Sequence, residues 1–303
     1  MKNLNNLTVL IVTYLTKKDI LLDCLKSIDK RIKILIVENS KKFKDEKYFL
    51  NKFSNVKVLC TGSNLGYGRG NNFGLMAIKT EYALILNPDT ICDKKFFLNT
   101  DKLLSKNKNF SIIGCQYLYD KIFMPAGYFN EKKNKKFREN FFKTKPKALT
   151  KVDWVTGCSM LFNLKKFKGR DLFDKNFFLY FEEFDLCKST IRKGGLVYSA
   201  NDLKIHHLGF KGSLGSNKNL KTEANKLRDW HWMWSYFYFY KKNYNYLYAL
   251  YKVLGKLLRS FFKSIYYMVI FDSDNKNKYL YRFLGLFSAL IGKKANYRGN
   301  VFN

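Results

Sequence analysis

The stretch Glu81 to Thr90 reads EYALILNPDT. Its apolar run, Tyr82, Ala83, Leu84, Ile85 and Leu86, has the length of a strand, and Pro88 ends it because a proline nitrogen cannot donate to a sheet ladder. Asp89 is thereby set just past a strand end. In open α/β sheets ligands bind outside the carboxyl ends of the strands, so a carboxylate fixed there by a turn is placed to hold a hard cation against a phosphate. An Asx-Pro turn made only for local hydrogen bonding is the alternative.

Upstream of this stretch, strand and helix patterns alternate. Leu7–Thr13 (LTVLIVT), Ile32–Val37 and Val56–Cys60 are β-branched apolar runs, while Leu21, Leu22, Leu25 and Ile28 recur at helical spacing and a polar helical segment covers Asp45–Lys52. The alternation predicts right-handed crossovers and an α/β fold with a mostly parallel sheet flanked by helices. The ligand crevice is then built from the loops after the strands. Those loops are polar: Thr13-Tyr14, Glu38-Asn39-Ser40, and TGSNLGYGRGNNFG over Thr61–Gly74. Gly66, Gly68, Gly70 and Gly74 would let backbone approach a phosphate or sugar, with a helix opening near Asn71; a flexible connection is the alternative. The segment is neither a Walker loop nor a first-strand dinucleotide fingerprint.

Composition narrows the class. The chain has 303 residues, 47% of them hydrophobic, enough for a large folded core and incompatible with a wholly disordered chain. Lys and Arg number 56 against 24 Asp and Glu, a net charge of +32, which predicts anionic partners such as a membrane surface or a phosphorylated substrate. Six cysteines lie far apart with no C-x-x-C pair, which argues for reduced, mostly buried thiols over a zinc ribbon. The opening MKNLNNLTVLIVTYL passes from a polar cap straight into a strand, so a cytoplasmic chain is expected.

Beyond Thr90, a helix is expected over Lys94–Lys106 and strands over Ile112–Leu118 and Ile122–Tyr128. Asn130–Lys151 is dense in Lys and Arg and poor in aliphatics, and it reads as a mobile basic loop. Asp153-Trp154-Val155-Thr156-Gly157-Cys158-Ser159-Met160 leads into a strand. FDKNFFLYF then precedes EEFDLCKSTIRKGG, a helix with Phe184, Cys187 and Ile191 on one face and Gly194 as its left-handed cap. Glu182, Glu183 and Asp185 fall in its first turn. The macrodipole alone favours acids there; the neighbouring Phe177, Phe178, Tyr180 and Phe181 would also desolvate them, raise a pKa and suit one of them to act as a general base. A short strand, Leu196–Ala200, is followed by His206 and His207, which point to opposite faces of an extended segment, so one of the two at most reaches a given site.

The C-terminal part is helical and aromatic. WHWMWSYFYFY, Trp230–Tyr240, suits either a membrane interface or a buried helix. At 100° per residue from Leu254, the apolar Leu247, Leu250, Leu257, Leu258, Phe261 and Ile265 fall within about 60° of one direction, and Lys252, Lys256, Arg259 and Lys263 within about 40° of the opposite one. This amphipathic helix would lie on an anionic membrane or pack its stripe on the protein or on a second subunit; no run is long enough to span a bilayer.

Together, LTVLIVTY, ILIVENS, GSNLGYGRGNNFG, LILNPDT, DWVTGCSML, FFLYFEEFDLCKSTIRKGG and IHHLG resemble, in this order and over about residues 7–240, the bacterial family 2 glycosyltransferases of the GT-A fold, in particular the rhamnosyltransferase-like branch. The resemblance implies a Rossmann-like GT-A catalytic domain over 1–220, its nucleotide-sugar half about 1–92 and its acceptor half about 93–220, and a helical amphipathic extension over 221–303. It implies an inverting, metal-dependent hexosyltransferase, acting from a nucleoside-diphosphate sugar donor on a glycan or lipid-linked glycan of the cell surface. Thr13, Tyr14 and Glu38 would contact the nucleotide base, with Glu38 where relatives often have aspartate. Asn64, Gly66, Arg69, Asn72 and Asn87 would line the donor pocket. Asp89, helped by His207, would bind Mg2+ or Mn2+ without the first acid of a D-x-D motif. Glu183 matches the catalytic base, with Glu182 and Asp185 as supports, and Trp154 and Gly157 lie on the acceptor or sugar side. The expected place is the inner face of the cell membrane, peripherally, with a homo-oligomer left open.

Two other readings compete. A nucleic-acid or polyanion-binding protein would explain the charge but not a carboxylate-rich crevice, so nucleic acid is not an expected partner. A sugar nucleotidyltransferase would need a glycine-rich first loop, which Thr13-Tyr14-Leu15-Thr16 does not provide.

Overall fold

The computed structural model describes residues 3–119, 122–123, 126–143, 147–209 and 218–299. Alternating apolar runs and amphipathic segments give β1 (Leu7–Thr13), α1 (Lys18–Lys26), β2 (Lys33–Glu38), α2 (Glu46–Lys52), β3 (Val56–Cys60), α3 (Tyr67–Ala77) and β4 (Tyr82–Leu86). β1 pairs in parallel with both β2 and β4, and β2 with β3. All five residues of β4 are buried, as a continuous apolar run covered on both faces requires.

The remaining elements of the sheet unit are β5 (Thr90–Cys92), α4 (Phe96–Lys106), β6 (Ile112–Tyr119), β7 (Ile122–Phe123), β8 (Ala126–Gly127), α5 (Glu131–Lys143), β9 (Leu149–Lys151), β10 (Trp154–Val155), β11 (Ser159–Asn163), the C-terminal part of α6 (Glu182–Arg192) and β12 (Val197–His207). The main sheet runs β3-β2-β1-β4-β11-β6-β12-β5, with its parallel half first and β11 antiparallel to both neighbours. The fold is thus α/β, with a curled sheet whose β3-β2-β1-β4 half is wholly parallel. No disulfide joins the cysteines among the described residues, and five of the six are buried.

Four expectations are corrected here. The basic segment after Asn130 is no loop: α5 forms because the Asn130 side chain caps it, accepting from the Lys133 amide at 2.9 Å, and because Lys, Glu and Arg are good helix formers. Its inner side is held by the Phe137 ring, 5.3 Å from Tyr128. The strand expected to stop at Ala200 continues as β12 to His207, after an irregularity between Ala200 and Lys204, because β6 and β5 supply partners that local pattern cannot reveal. α3 starts at Tyr67, four residues before Asn71, and its glycines serve packing: a Cβ at Gly74 would sit 2.3 Å from Leu10 and one at Gly70 2.9 Å from Val12. The strand expected over Ile122–Tyr128 consists of β7 and β8; Met124 and Pro125 lie outside the described residues.

A second compact unit comprises Gly66–Gly68, Asp174–Asp185 and 214–303. It contains α7 (Lys218–Asn243), α8 (Tyr246–Val269) and α9 (Ser273–Leu290). Asn245 caps α8 by accepting from the Tyr248 amide at 2.8 Å, and Asp272 caps α9 by accepting from Asn275 at 3.0 Å. Small residues set the helix approach: a Cβ on Gly285 of α9 would fall 2.2 Å from the Trp230 carbonyl oxygen of α7. The aromatic run of α7 is a buried helix face, with Trp230, His231, Met233, Trp234, Ser235, Phe237 and Phe239 all buried.

The predicted amphipathic split of α8 is only half realised. Its packed face is Ala249, Val253 and Ser260, small side chains that admit close helices, while Leu247, Leu258, Phe261 and Ile265 of the apolar stripe are exposed. The cations opposite are drawn onto rings of the same unit: Lys252 over Tyr248, Lys256 over Tyr236 and Lys263 over Tyr279. Among the described residues no helix is long and apolar enough to cross a membrane.

Candidate active site

In the sheet unit, the first cluster stands at the carboxyl ends of β1 and β2. The buried Thr13 hydroxyl donates to Glu38 Oε2 at 2.7 Å. Desolvation raises the Glu38 pKa, and the Thr13 and Ser40 hydroxyls oppose that shift only partly. Tyr14 bonds the Asn64 side chain. Between them lies Asn39, whose Nδ2 donates to Asn64 Oδ1 at 3.2 Å and whose Oδ1 accepts from the Leu65 amide at 3.0 Å and the Thr61 hydroxyl at 3.2 Å. Thr13, Tyr14, Glu38 and Asn64 are thus brought together, and Asn39, which sequence reasoning passed over, is what ties the loop to the strand end. Its position directly after Glu38 was the available signal.

The second cluster is at the end of β4. The Asn87 carbonyl accepts from the Thr90 amide and hydroxyl at 3.2 and 2.7 Å, closing the turn around Pro88. The Asn87 amide donates to the Cys158 carbonyl at 2.9 Å, so the segment carrying Gly157 adjoins this turn. Thr90 then opens β5, and its pairing opposite His207 brings that histidine's Nε2 to 3.3 Å from Asp89 Oδ1. Asp89 is 3% exposed, and its backbone carbonyl accepts from the Leu208 amide at 2.9 Å. His206 is exposed on the opposite side of the strand. Among the described residues no group of three or more His, Cys, Asp or Glu side chains could hold a metal. Asp89 and His207 offer one hard oxygen and one nitrogen, a pair that could contribute to holding a divalent cation, with Mn2+ suited to imidazole better than Mg2+.

Other expected donor contacts serve different ends. Both Asn72 Nδ2 protons are used, on Asp171 at 2.6 Å and the Phe173 carbonyl at 2.8 Å, and its Oδ1 accepts from the Leu172 and Phe173 amides at 2.9 Å. That amide is saturated by its own chain and anchors 171–173. Gly66, at φ 83°, admits the Phe178 carbonyl, which would lie 2.2 Å from a Cβ, and so accommodates chain instead of ligand. Arg69 is exposed on α3. The Trp154 ring covers Gly127, whose Cβ would meet it at 2.5 Å.

The third cluster belongs to the helical unit. Tyr180 and Phe181 both have positive φ, 70° and 67°, a strained conformation for aromatic residues that turns the chain sharply into α6. Rings of α7 hold this turn: Phe178 stacks 4.7 Å from His231, Phe177 4.9 Å from Tyr238 and Phe181 5.3 Å from Trp232. The Ser235 hydroxyl donates to the Leu179 carbonyl at 2.9 Å. Glu182 and Glu183 follow. Burial raises both carboxyls, Glu183 to about 7, and the charge of Glu183 pushes the more deeply buried Glu182 up as well. Glu182 Oε2 has no hydrogen-bond partner among the described residues. Asp185 is different: Lys242 Nζ reaches its Oδ2 at 2.6 Å and Asn243 Nδ2 its Oδ1 at 2.8 Å, while the same lysine bonds Asp174 at 2.7 Å. Asp185 is therefore a strut that fixes the turn. Lys242 and Asn243 were not legible as its partners because they lie far from it in sequence. Lys242→Met should lower the unfolding free energy by about 2 kcal/mol, less than for a fully buried pair, and the urea midpoint would report it.

Residues 8–168 match the family described as "Glycosyl transferase family 2". Over 202 residues the chain is 25% identical to the low-salt glycan biosynthesis hexosyltransferase of Haloferax volcanii, a match covering 63% of each protein. Over 193 residues it is 27% identical to the rhamnosyltransferase WbbL of Escherichia coli, covering 55% of this chain and 69% of that one. The chain thus spans less than two thirds of the haloarchaeal relative's length. Among solved structures, the mannosyltransferase PcManGT from Pyrobaculum calidifontis in complex with GDP-Man and Mn2+ aligns with a TM-score of 0.52 and 11% identity, over 94% of this chain and 87% of that one. GalNAc-T7 with UDP, GalNAc and Mn2+ aligns with a TM-score of 0.54 and 13% identity, over 77% of this chain and 50% of that one. These two likenesses carry the fold.

Proposed function

Because the chain belongs to glycosyl transferase family 2, we propose that it moves a hexosyl group from a nucleoside-diphosphate sugar to a hydroxyl of a glycan or lipid-linked glycan, with inversion at the anomeric carbon. Glu183 takes the proton of the acceptor hydroxyl as the acceptor oxygen forms its bond to the anomeric carbon, and the bond to the diphosphate breaks with its electron pair leaving on the phosphate oxygen. The observation that carries this reading is the half-buried Glu183 carboxyl, pushed up to about 7 by burial, in the first turn of α6 directly after the strained Tyr180-Phe181 pair and beside the braced Asp185. A base poised near neutrality matches both its protonation state and its driving force to the working pH.

Asp89 and His207 would hold a divalent cation, which supplies positive charge to the departing diphosphate. The Mn2+ bound in both solved neighbours supports this reading. Thr13, Tyr14, Glu38 and Asn64 receive the nucleoside, and the desolvated Glu38 carboxyl is the group that reads the base. The names of the two curated relatives support a hexose, rhamnose among the candidates. Incubating the protein with a panel of nucleotide sugars and saccharide acceptors, with diphosphate release and the anomeric configuration of the product as readouts, tests the reaction. No release from any donor, or retention of configuration, overturns it.

The pH profile is a further expected result. Only ionised Glu183 accepts a proton, so kcat should rise with pH through an apparent pKa near 7, the value belonging to the Glu182–Glu183 pair. An acid limb near the ordinary glutamate value would mean that the base is a solvated carboxylate elsewhere.

A further inference from the structure

The outward side of α8 is unlike the surface of an ordinary packed helix. Leu247, Tyr251 and Phe262 are 75%, 77% and 62% exposed, and Leu254, Leu258 and Val269 on the same side are also exposed. The face continues into the turn after the helix, where Phe271 is 91% exposed at φ 56°, a left-handed conformation disfavoured for an aromatic residue that projects its ring outward. Tyr244, Tyr246 and Tyr266 add exposed phenol rings along the same helix and its approach. Such a contiguous apolar face marks an interaction site.

What covers it is indicated by charge. α8 contains four cations and no Asp or Glu, in a chain of net charge +32. Two copies of a chain carrying +32 would meet against mutual repulsion, whereas an anionic lipid surface attracts that charge. Tyrosines beside an aliphatic stripe suit the boundary between headgroups and acyl chains, and no described helix is apolar enough to go deeper than that boundary.

We propose that the outward face of α8 is a membrane-docking surface that lies in the headgroup region of an anionic phospholipid bilayer, with Leu247, Leu254, Leu258 and Phe262 entering the acyl boundary and Arg259 at the headgroups. The apolar side chains make the insertion, because Lys252, Lys256 and Lys263 are engaged with tyrosine rings. This does not depend on the transferase reading, since attachment is read without turnover.

The test is flotation of the full chain with vesicles of phosphatidylcholine alone or mixed equally with phosphatidylglycerol. Wild-type protein should rise with the mixed vesicles and stay down with the neutral ones. Replacing Leu247, Leu254, Leu258 and Phe262 by serine should abolish flotation with the circular dichroism spectrum unchanged, since all four side chains are exposed. Arg259→Glu should weaken partitioning about fivefold or more. In a Phe262→Trp variant, tryptophan emission should shift to the blue on binding and be quenched by lipids brominated on the acyl chains. Wild-type protein left at the bottom, or a serine variant that still floats, overturns the proposal. So does a wild-type dimer, measured by light scattering, that the serine variant converts to monomer, because the face would then be occupied by a second copy.

Discussion

Glu183→Gln is expected to lower kcat by about 100-fold or more while donor affinity stays within about twofold. Glutamine keeps the size and the hydrogen-bonding carbonyl of the side chain, so the turn into α6 and its Asp185 strut should survive the change. What is lost is the capacity to accept a proton. Glu182→Gln serves as the contrast. Glu182 is 3% exposed, with its pKa pushed well above the usual carboxylate range by burial and by the charge of Glu183, which favours its uncharged form, and an amide imitates that form. That variant should retain most of its activity, and its acid limb should stay near 7, because burial and not the charge of Glu182 raises the Glu183 carboxyl. Steady-state kinetics and calorimetric donor binding on the two variants check both statements. A severe loss in Glu182→Gln with a mild one in Glu183→Gln would exchange their roles.

The parts of this molecule legible in the sequence are those in which local pattern and tertiary environment agree. Leu7–Thr13 and Val56–Cys60 are strands with the bounds their apolar runs suggest, and Gly194 ends α6 at φ 81°, as a left-handed cap does. Asp89 was legible as a strand-end carboxylate because Pro88 is an unambiguous stop. Its approach to His207 was not, because it depends on β5 pairing with a strand more than a hundred residues on, and the choice between His206 and His207 rests on that register. Glu183 stood out through its aromatic neighbours. The strain at Tyr180 and Phe181 did not, because bulky aromatic residues argue against positive φ and α7 imposes it from outside the segment.

Composition and local pattern misled in three places. The lysines after Asn130 read as a solvated loop, although the Asn130 cap was visible in the sequence and helix propensity was in its favour. In α8 the periodicity of Leu and Phe located an apolar stripe correctly, yet burial went to Ala249, Val253 and Ser260, because close helix approach is limited by side-chain bulk before it is driven by apolar area. The glycines of Thr61–Gly74 likewise looked like a ligand cradle, and Gly70 and Gly74 instead let α3 lie close on β1 and β2.

Asp89→Ala is expected to reduce turnover by about 1,000-fold or more, the other large effect. The alanine removes the one carboxylate at the end of β4 and leaves His207 Nε2 without the oxygen now 3.3 Å away. The turn itself should persist, because it is closed by the Asn87 carbonyl with Thr90 and by the Asp89 backbone with Leu208, none of which needs the carboxylate. The urea midpoint should therefore shift little, which separates a lost ligand from a lost fold. Binding of Mn2+ in the presence of a nucleoside diphosphate, followed by electron paramagnetic resonance, gives a readout independent of turnover. Wild-type protein should bind the ion, lose activity in EDTA and recover it on addition of Mn2+; Asp89→Ala should bind it at least about tenfold more weakly, and His207→Ala should show a smaller loss of the same kind. Turnover that survives both EDTA and the alanine substitution would take Asp89 out of the site and leave the positive charge for the departing diphosphate to be found among the exposed cations of the chain, Arg69 of α3 first.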